Sequence, residues 1–523
     1  MDESIGPDTH PTLPRLEIHT KVRWWEWGGF GVKRSLSEVR FHEVVAILLV
    51  GFTIWGYLDI RKRGRVDATR PELHRTDFTV FTGAGAAFFD GRDPYEARNP
   101  RGWYYLYPPL FALLVSPLAA FDDPTQVVIW YAISLLLALG CFFELMRLGR
   151  WLGREDQGVT HGAARHEFWI GVGCAIAVAL PALECLQRGQ LGIALLYPTL
   201  LGSRLVLENR SNRHAILGGI ILALPVAIKL VPALPLICLL GMCWLRAILR
   251  RRVHDVRRSL SLSLGVGVGA GLFVLVVPSA ILGISANLRH LENWYHRVVA
   301  NRDVGQQHGF HIDSVSNQSL SNATYLYSAQ VRGTAVDRSQ YRHWLLADTE
   351  IARRRASDDA ARLASQILRV TLGLLLLALI YKAARDGGRD TEALVPALGS
   401  LGIVVLSPLA WTHYYVLWLP AILIVPGWLI RQGHPRAAAA SMVVPILLTW
   451  VHYVGPAAWN RWGLLGLGSS GWFLAIVVAS LVLNTRTTTP FPEGWRVDEG
   501  SSQIPPGRSG SQSATVVPSP AER

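Results

Sequence analysis

The sequence predicts an all-α protein that crosses a membrane many times, as a bundle of about twelve helices. Three observations predict it. Half of the 523 residues are hydrophobic and only 17% are charged, with a mean hydropathy of +0.26, whereas a soluble domain carries about 25% charged residues. Apolar runs recur along the chain, several of them long enough for a bilayer, which takes roughly 20 residues in a helix. Lys and Arg gather in short clusters between those runs, as they do in polytopic membrane proteins. The net charge of +13 therefore belongs to orientation in a membrane, and no motif for nucleic acid accompanies it. The five cysteines, Cys141, Cys174, Cys185, Cys238 and Cys243, all lie in apolar segments. Their spacing matches neither a zinc site nor a disulfide framework, so no metal is expected.

In chain order, residues 1–42 read as a polar, mostly loose cytoplasmic tail that contains Trp24-Trp25-Glu26-Trp27, suited to a membrane surface, and ends in a short surface helix. The first apolar run starts near Glu43, too far in for an ordinary cleaved signal peptide. It reads as a retained anchor over about 43–60, the first span of a membrane domain covering 43–484. Further spans are expected at about 126–147, 168–186, 191–207, 214–230, 232–245, 260–284, 364–382, 391–409, 414–430, 437–455 and 463–484. Residues 105–121 are apolar but short, with Pro108, Pro109 and Pro117, and read as a juxtamembrane or re-entrant helix. The Ser/Pro/Gly-rich tail 485–523 reads as disordered.

With the N-terminus cytoplasmic, the basic clusters at 147–165, 204–213, 246–258, 382–389 and 431–436 fall inside, and the short outer loops hold one basic residue or none. Two longer segments, about 61–125 and 285–362, then lie outside. Arg61-Lys62-Arg63 disagrees with this assignment. The rival topology makes 105–121 a true span and leaves Asp77 cytoplasmic.

Candidate functional residues concentrate on the outer side. Asp77 precedes an amphipathic run in which Phe78, Phe81, Gly85 and Phe88 share one helical face. It has two readings, a helix N-cap and a general base that takes a proton from an acceptor hydroxyl. Arg188 and Gln190 sit in Gln187-Arg188-Gly189-Gln190 between two spans, where a tight turn and lipid snorkelling are the plain explanations. Lys229 stands near the outer ends of two short apolar runs. A charge at that depth points to function, and an ammonium can hold a lipid phosphate, with snorkelling as the alternative. His413, in Ser407-Pro408-Leu409-Ala410-Trp411-Thr412-His413, is either part of an aromatic belt or a binder of phosphate or sugar. Asp93, Asp303 and Asp313, on the same side, are the next candidates for the base after Asp77. His308, His311 and Asp313 match no standard metal spacing.

Taken in order, Asp77, Gly91-Arg92-Asp93-Pro94-Tyr95, Tyr107-Pro108-Pro109, Gly189-Gln190, Ile228-Lys229, Asn317-Gln318-Ser319 and Ser407-Pro408 with Trp411 and His413 resemble the GT87 (DUF2029) family of membrane glycosyltransferases over about 75–425. The resemblance implies a GT-C architecture and an inverting transfer of a hexose, mannose foremost. The donor would be a polyprenyl-phosphate sugar and the acceptor a lipid or glycan, on the extracytoplasmic face of the plasma membrane. It implies no nucleotide donor and no cofactor. It places the catalytic Asp in the first outer loop and adds Asn317 and Gln318 to the donor-binding candidates Lys229, Arg188, Gln190 and His413. One departure is Tyr414, where the family often has a second His. A transporter or flippase of lipid-linked sugars is the rival class. It would set its charges near the bilayer midplane and show internal repeats, which are missing from this chain.

Overall fold

The computed structural model describes residues 41–483 apart from 68, 71–72, 154–161, 210, 301–315, 338–339, 341–349 and 352. Among the described residues the fold is helical, and extended pairing is confined to two isolated bridges, Arg98 with Tyr104 and Asn317 with Trp411. The helices are α1 (Phe41–Arg63), α2 (Phe78–Phe89), α3 (Pro109–Val115), α4 (Asp123–Gly153), α5 (Gly162–Gln187), α6 (Gly192–Glu208), α7 (Asn212–Ile228), α8 (Ala233–Arg250) and α9 (Val253–Ala270). A π-helical turn carries α9 into α10 (Val277–Leu282), followed by α11 (Ile284–Trp294) and α12 (Leu320–Val331). Then come α13 (Asp359–Asp386), α14 (Arg389–Leu406), α15 (Leu419–Arg431, entered through a 3-10 helix Thr412–Trp418), α16 (Pro435–Val454) and α17 (Leu464–Val482).

Each of the twelve expected spans is helical. Among the described residues, eight helical segments are long and apolar enough to cross a membrane. α6 and α7 have 17 residues each, about 25 Å at 1.5 Å per residue, and α14 opens with Arg389, Asp390 and Glu392. α7 is packed against α6 and α9. The contact with α9 is backbone to backbone: a Cβ on Gly265 would fall 2.1 Å from the Ile216 carbonyl oxygen. Small residues let membrane helices approach this closely, and dispersion between the backbones then holds them.

The two ends of the bundle differ in charge chemistry. At one end Arg204 bridges Glu144 (2.5 Å) and Glu208 (2.7 Å), and Arg246 pairs with Glu392 at 2.7 Å while donating to the Ala383 carbonyl at 3.0 Å. Arg431 pairs there with Asp390 at 2.6 Å. Lys382 donates to the carbonyls of Ser480, Leu481 and Leu483, which satisfies the terminal acceptors of α17. These are the clusters expected inside.

The other end gathers the segments expected outside. The loop after α1 leaves and returns at this same end. Arg75 N–H donates to the Arg63 carbonyl at 2.9 Å, and Thr82 donates to Gln126 in the first turn of α4 at 2.6 Å. Between them, α3 has only 7 residues before a 3-10 turn, Ser116–Ala120. It packs against α2, and the apolar helical stretch Pro109–Ala120 is shorter than the roughly 20 residues of a span. Arg61–Arg63 therefore lie at the site end, with Arg63 paired to Asp59 at 2.5 Å. Helix α11 and the turn after it fold over the first loop: Trp294 donates to the Leu106 carbonyl at 3.3 Å, and Arg297 pairs with Asp93 at 3.0 Å.

A topology test follows. A reporter fused after Gly91 is expected to be active only outside the cytoplasm, and one fused after Arg252 only inside. Identical signals from the two fusions would contradict the arrangement of ends.

Candidate active site

Asp77 immediately precedes α2, and its backbone is fastened before its side chain is considered. Its N–H donates to the Arg188 carbonyl at 2.8 Å, and Thr76 Oγ1 donates to the same carbonyl at 3.2 Å. Phe78 stacks on Trp130 at 5.0 Å and Phe81 meets Phe111 edge-on at 5.2 Å, so the expected aromatic face of α2 is buried and fixed. Asn99 donates to the Thr76 carbonyl at 3.2 Å and accepts from Arg101 N and Trp103 N at 3.0 Å each, which locks the 98–104 turn beside Asp77.

The side chain decides between the two readings of Asp77. Its carboxylate makes no capping hydrogen bond to α2. It accepts instead from the Gln190 side-chain amide, across 113 residues of sequence. Asp77 is buried, only 6% exposed. Burial pushes its pKa up to about 6, against the opposing pull of Arg188, the Gln190 hydrogen bond and Arg101. Among the described residues it has no ion-pair partner.

Gly189 makes this contact sterically possible. Its φ of +65° is left-handed, and a Cβ there would lie 2.7 Å from Phe78 Cβ. The turn sends Gln190 toward Asp77 and Arg188 away from it. Arg188 Nε pairs with Glu184, one helical turn back on α5, at 3.1 Å. Glu184 also accepts from Thr412 Oγ1 at 2.5 Å and from the Tyr453 hydroxyl.

Lys229 ends α7. Its Nζ donates to the Tyr107 hydroxyl at 2.9 Å and lies 4.6 Å from the Tyr107 ring centre and 4.3 Å from that of Tyr414. An ammonium between two ring faces keeps its position without a carboxylate. Tyr414, the departure from the family pattern, thus has a place beside Lys229. His413 is buried, and neither of its ring nitrogens has a hydrogen-bond partner among the described residues. The charges of Lys229 and Arg188 both reach it, and that of Asp77 reaches Lys229.

Asp77, Arg188, Gln190, Lys229 and His413 are therefore brought together at one end of the bundle. Asn317 and Gln318 have a different environment from the one expected. Both are fully buried. Asn317 Oδ1 accepts from Ser319 N at 3.1 Å and Ala410 N at 3.0 Å, while Gln318 Oε1 accepts from Gly466 N at 3.3 Å. They fasten the chain ahead of α12 to the strand-like segment that leads into His413. Asp93 accepts from Tyr95 N at 2.9 Å, starting a short 3-10 helix, as well as pairing with Arg297. Asp303, Asp313, His308 and His311 lie outside the described residues. Sequence reasoning missed Glu184. Its signal was present as an acidic residue in the last turn of an apolar span, four positions before Arg188.

The model of Glycosyltransferase family 87 matches residues 105–408. That stretch contains Tyr107, Glu184, Arg188, Gln190 and Lys229, and leaves Asp77 and His413 outside it. Two curated relatives carry the name polyprenol-phosphate-mannose-dependent alpha-(1-2)-phosphatidylinositol mannoside mannosyltransferase. The protein of Mycobacterium tuberculosis is 25% identical over 438 residues, 79% of this chain and 86% of the relative. That of Mycolicibacterium smegmatis is 24% identical over 443 residues, 80% and 86% of the two chains. No solved structure matches.

Gly189→Ala tests the turn without reference to activity. A Cβ in left-handed backbone costs about 1–2 kcal/mol, and here it also meets Phe78. A lower melting temperature in detergent and faster amide hydrogen exchange at residues 76–80 are expected. Unchanged exchange there would show that Gly189 does not hold Asp77 in place.

Proposed function

The chain belongs to glycosyltransferase family 87, and on that premise we propose that it transfers mannose from a polyprenyl-phosphate donor to a hydroxyl of a glycolipid, at the extracytoplasmic face of the plasma membrane, with inversion at the anomeric carbon. The observation that carries this reading is the pairing of Asp77. A buried carboxylate held by a neutral amide, with its neighbouring guanidinium engaged elsewhere, keeps its basicity.

The chemistry needs one base. The acceptor oxygen attacks the anomeric carbon while its proton passes to the Asp77 carboxylate. The bond from that carbon to the donor phosphate oxygen breaks with its electron pair staying on the phosphate. A phosphate whose charge is held leaves without an acid, so a single carboxylate suffices, in contrast to the pair in glycosidases. Lys229 and Arg188 supply the holding charge as point and planar cations, and His413 gives a ring nitrogen to the donor. Gln190 orients the base. Asn317 and Gln318 contribute by holding the backbone that carries His413. The mannoside acceptors in the relatives' names support a glycolipid acceptor. The charges stand at helix ends rather than along the middle of the bundle, which favours transfer at a surface over transport through it.

The direct test is transfer from radiolabelled polyprenyl-phosphate mannose by purified protein. Asp77→Asn is expected to lower the rate by roughly 10²–10⁴-fold, the usual contribution of a positioned base. The fold disfavours the ionised form of Asp77, since its pKa lies above the usual carboxylate value. The cost is therefore incurred as pH rises through about 6, and neutral Asn removes it, so at pH 7 the variant is expected to melt no lower than wild type. Normal turnover in this variant would remove Asp77 from the base role.

The same ionisation sets the pH profile. The base must be deprotonated, so kcat/KM is expected to fall as pH drops through about 6. A profile flat down to pH 4 would contradict it.

Lys229→Ala is expected to raise KM for the donor with a smaller effect on stability, and Lys229→Arg to recover part of the loss because charge is kept while geometry changes. Equal donor KM for Ala and wild type would return Lys229 to a snorkelling role.

A further inference from the structure

The geometry points to Glu184 as the positioning residue of this site: it holds Arg188 back from Asp77, so that the two do not neutralise one another, and ties α5 to the His413 segment. This rests on the reading of Asp77 as the base.

Glu184 lies in the last turn of α5, in an otherwise apolar span. Every contact on its carboxylate is a donor. Arg188 Nε reaches Oε1 at 3.1 Å, Thr412 Oγ1 reaches Oε2 at 2.5 Å, and the Tyr453 hydroxyl shares Oε2. Three donors satisfy the oxygens of this half-buried carboxylate, and both hydroxyls come from other parts of the fold, the 3-10 helix before α15 and the end of α16. Thr412 is the residue before His413, so the same carboxylate fixes the imidazole's backbone.

The consequence for Asp77 follows from competition. The Arg188 backbone is held beside Asp77, since its carbonyl accepts the Asp77 N–H at 2.8 Å. Its guanidinium is the first charge to act on Asp77, and it acts to lower the pKa. Glu184, also within reach of Asp77, acts the other way. The other groups facing Asp77 are Gln190 across the turn, Arg101 on the 98–104 turn, Lys229 at the end of α7, and Tyr107. None of these is a carboxylate able to take over Arg188. Without the Glu184 charge, the guanidinium is left with Asp77 as its anionic neighbour. An Asp–Arg pair typically lowers the carboxyl pKa by about 1–3 units, which makes a weaker base.

The test is the pH dependence of kcat for transfer. In wild type the acid limb is first assigned by Asp77→Asn, whose residual rate should lack it. Glu184→Gln is then expected to move that limb roughly 1–3 pH units lower and to reduce the plateau rate. Arg188→Gln removes the competing cation and is expected to move the limb upward. The double variant Glu184→Gln/Arg188→Gln is expected to bring the limb back above that of Glu184→Gln. A merely structural Glu184 would lower the rate in parallel at all pH values with the limb unmoved, and that result would overturn the proposal. If Glu184→Gln does not fold, Glu184→Asp, whose shorter side chain loosens the hold on Arg188, is expected to move the limb lower by a smaller step, and an unmoved limb there overturns the proposal. A limb that persists in Asp77→Asn instead refutes the base reading itself, and the role of Glu184 with it. An assigned limb that does not respond to Glu184 refutes only the present inference.

Discussion

A carboxylate taken out of water must be compensated, and the manner of compensation around Asp77 governs the whole site. A cation would satisfy the charge and remove the basicity. A neutral amide satisfies one oxygen and leaves the basicity in place. Gln190 and Arg188 are two residues apart, and the left-handed backbone at Gly189 between them sends one side chain to Asp77 and the other back along α5. Glu184 is what that guanidinium finds there. The turn is therefore a sorting device for charge, built from four residues of one helix end and loop.

The sorting works only on a stiff platform. α2 is short, and an isolated helix of 12 residues is marginal in water. Here its stability comes from packing: Phe78 on Trp130, Phe81 on Phe111 and Tyr105, and Phe88 against His290 of the covering helix α11. On the far side, close glycine-mediated packing of α7 on α9 fixes the height at which α7 ends, and with it Lys229. Tyr107 spans the two halves, since it belongs to the first loop and accepts from Lys229.

The opposite end of the bundle uses the same residue types to another purpose. Arg246 and Glu392 are paired and almost fully buried, and Arg204 joins two carboxylates. There Arg204, Arg246, Arg431 and Lys382 each meet a carboxylate or a terminal carbonyl. At the site end, among the described residues, Lys229 meets a hydroxyl and two ring faces, and neither nitrogen of His413 has a hydrogen-bond partner. The two ends thus hold buried cations differently, Arg246 by a carboxylate and Lys229 by a hydroxyl and two rings.

The sequence by itself determined the helical membrane architecture, because apolar runs and basic clusters are local signals that a bilayer reads directly. It also singled out Asp77, Arg188, Gln190, Lys229 and His413 as polar groups at the edges of apolar segments, and the fold gathers them at one end of the bundle. The shortness of α3 was legible from its prolines. What only the tertiary structure decided was pairing. The sequence left Asp77 equally readable as a cap, and the carboxylate turned out to face Gln190 instead. Asn317 and Gln318 looked like ligand contacts, yet their amides serve backbone groups of Ala410, Ser319 and Gly466. Glu184 drew no attention, although its partners Thr412 and Tyr453 lie 228 and 269 residues away. The physical reason is that a polar residue's chemistry is set by its nearest donors and acceptors, and in a bundle those come from helices far apart in the chain.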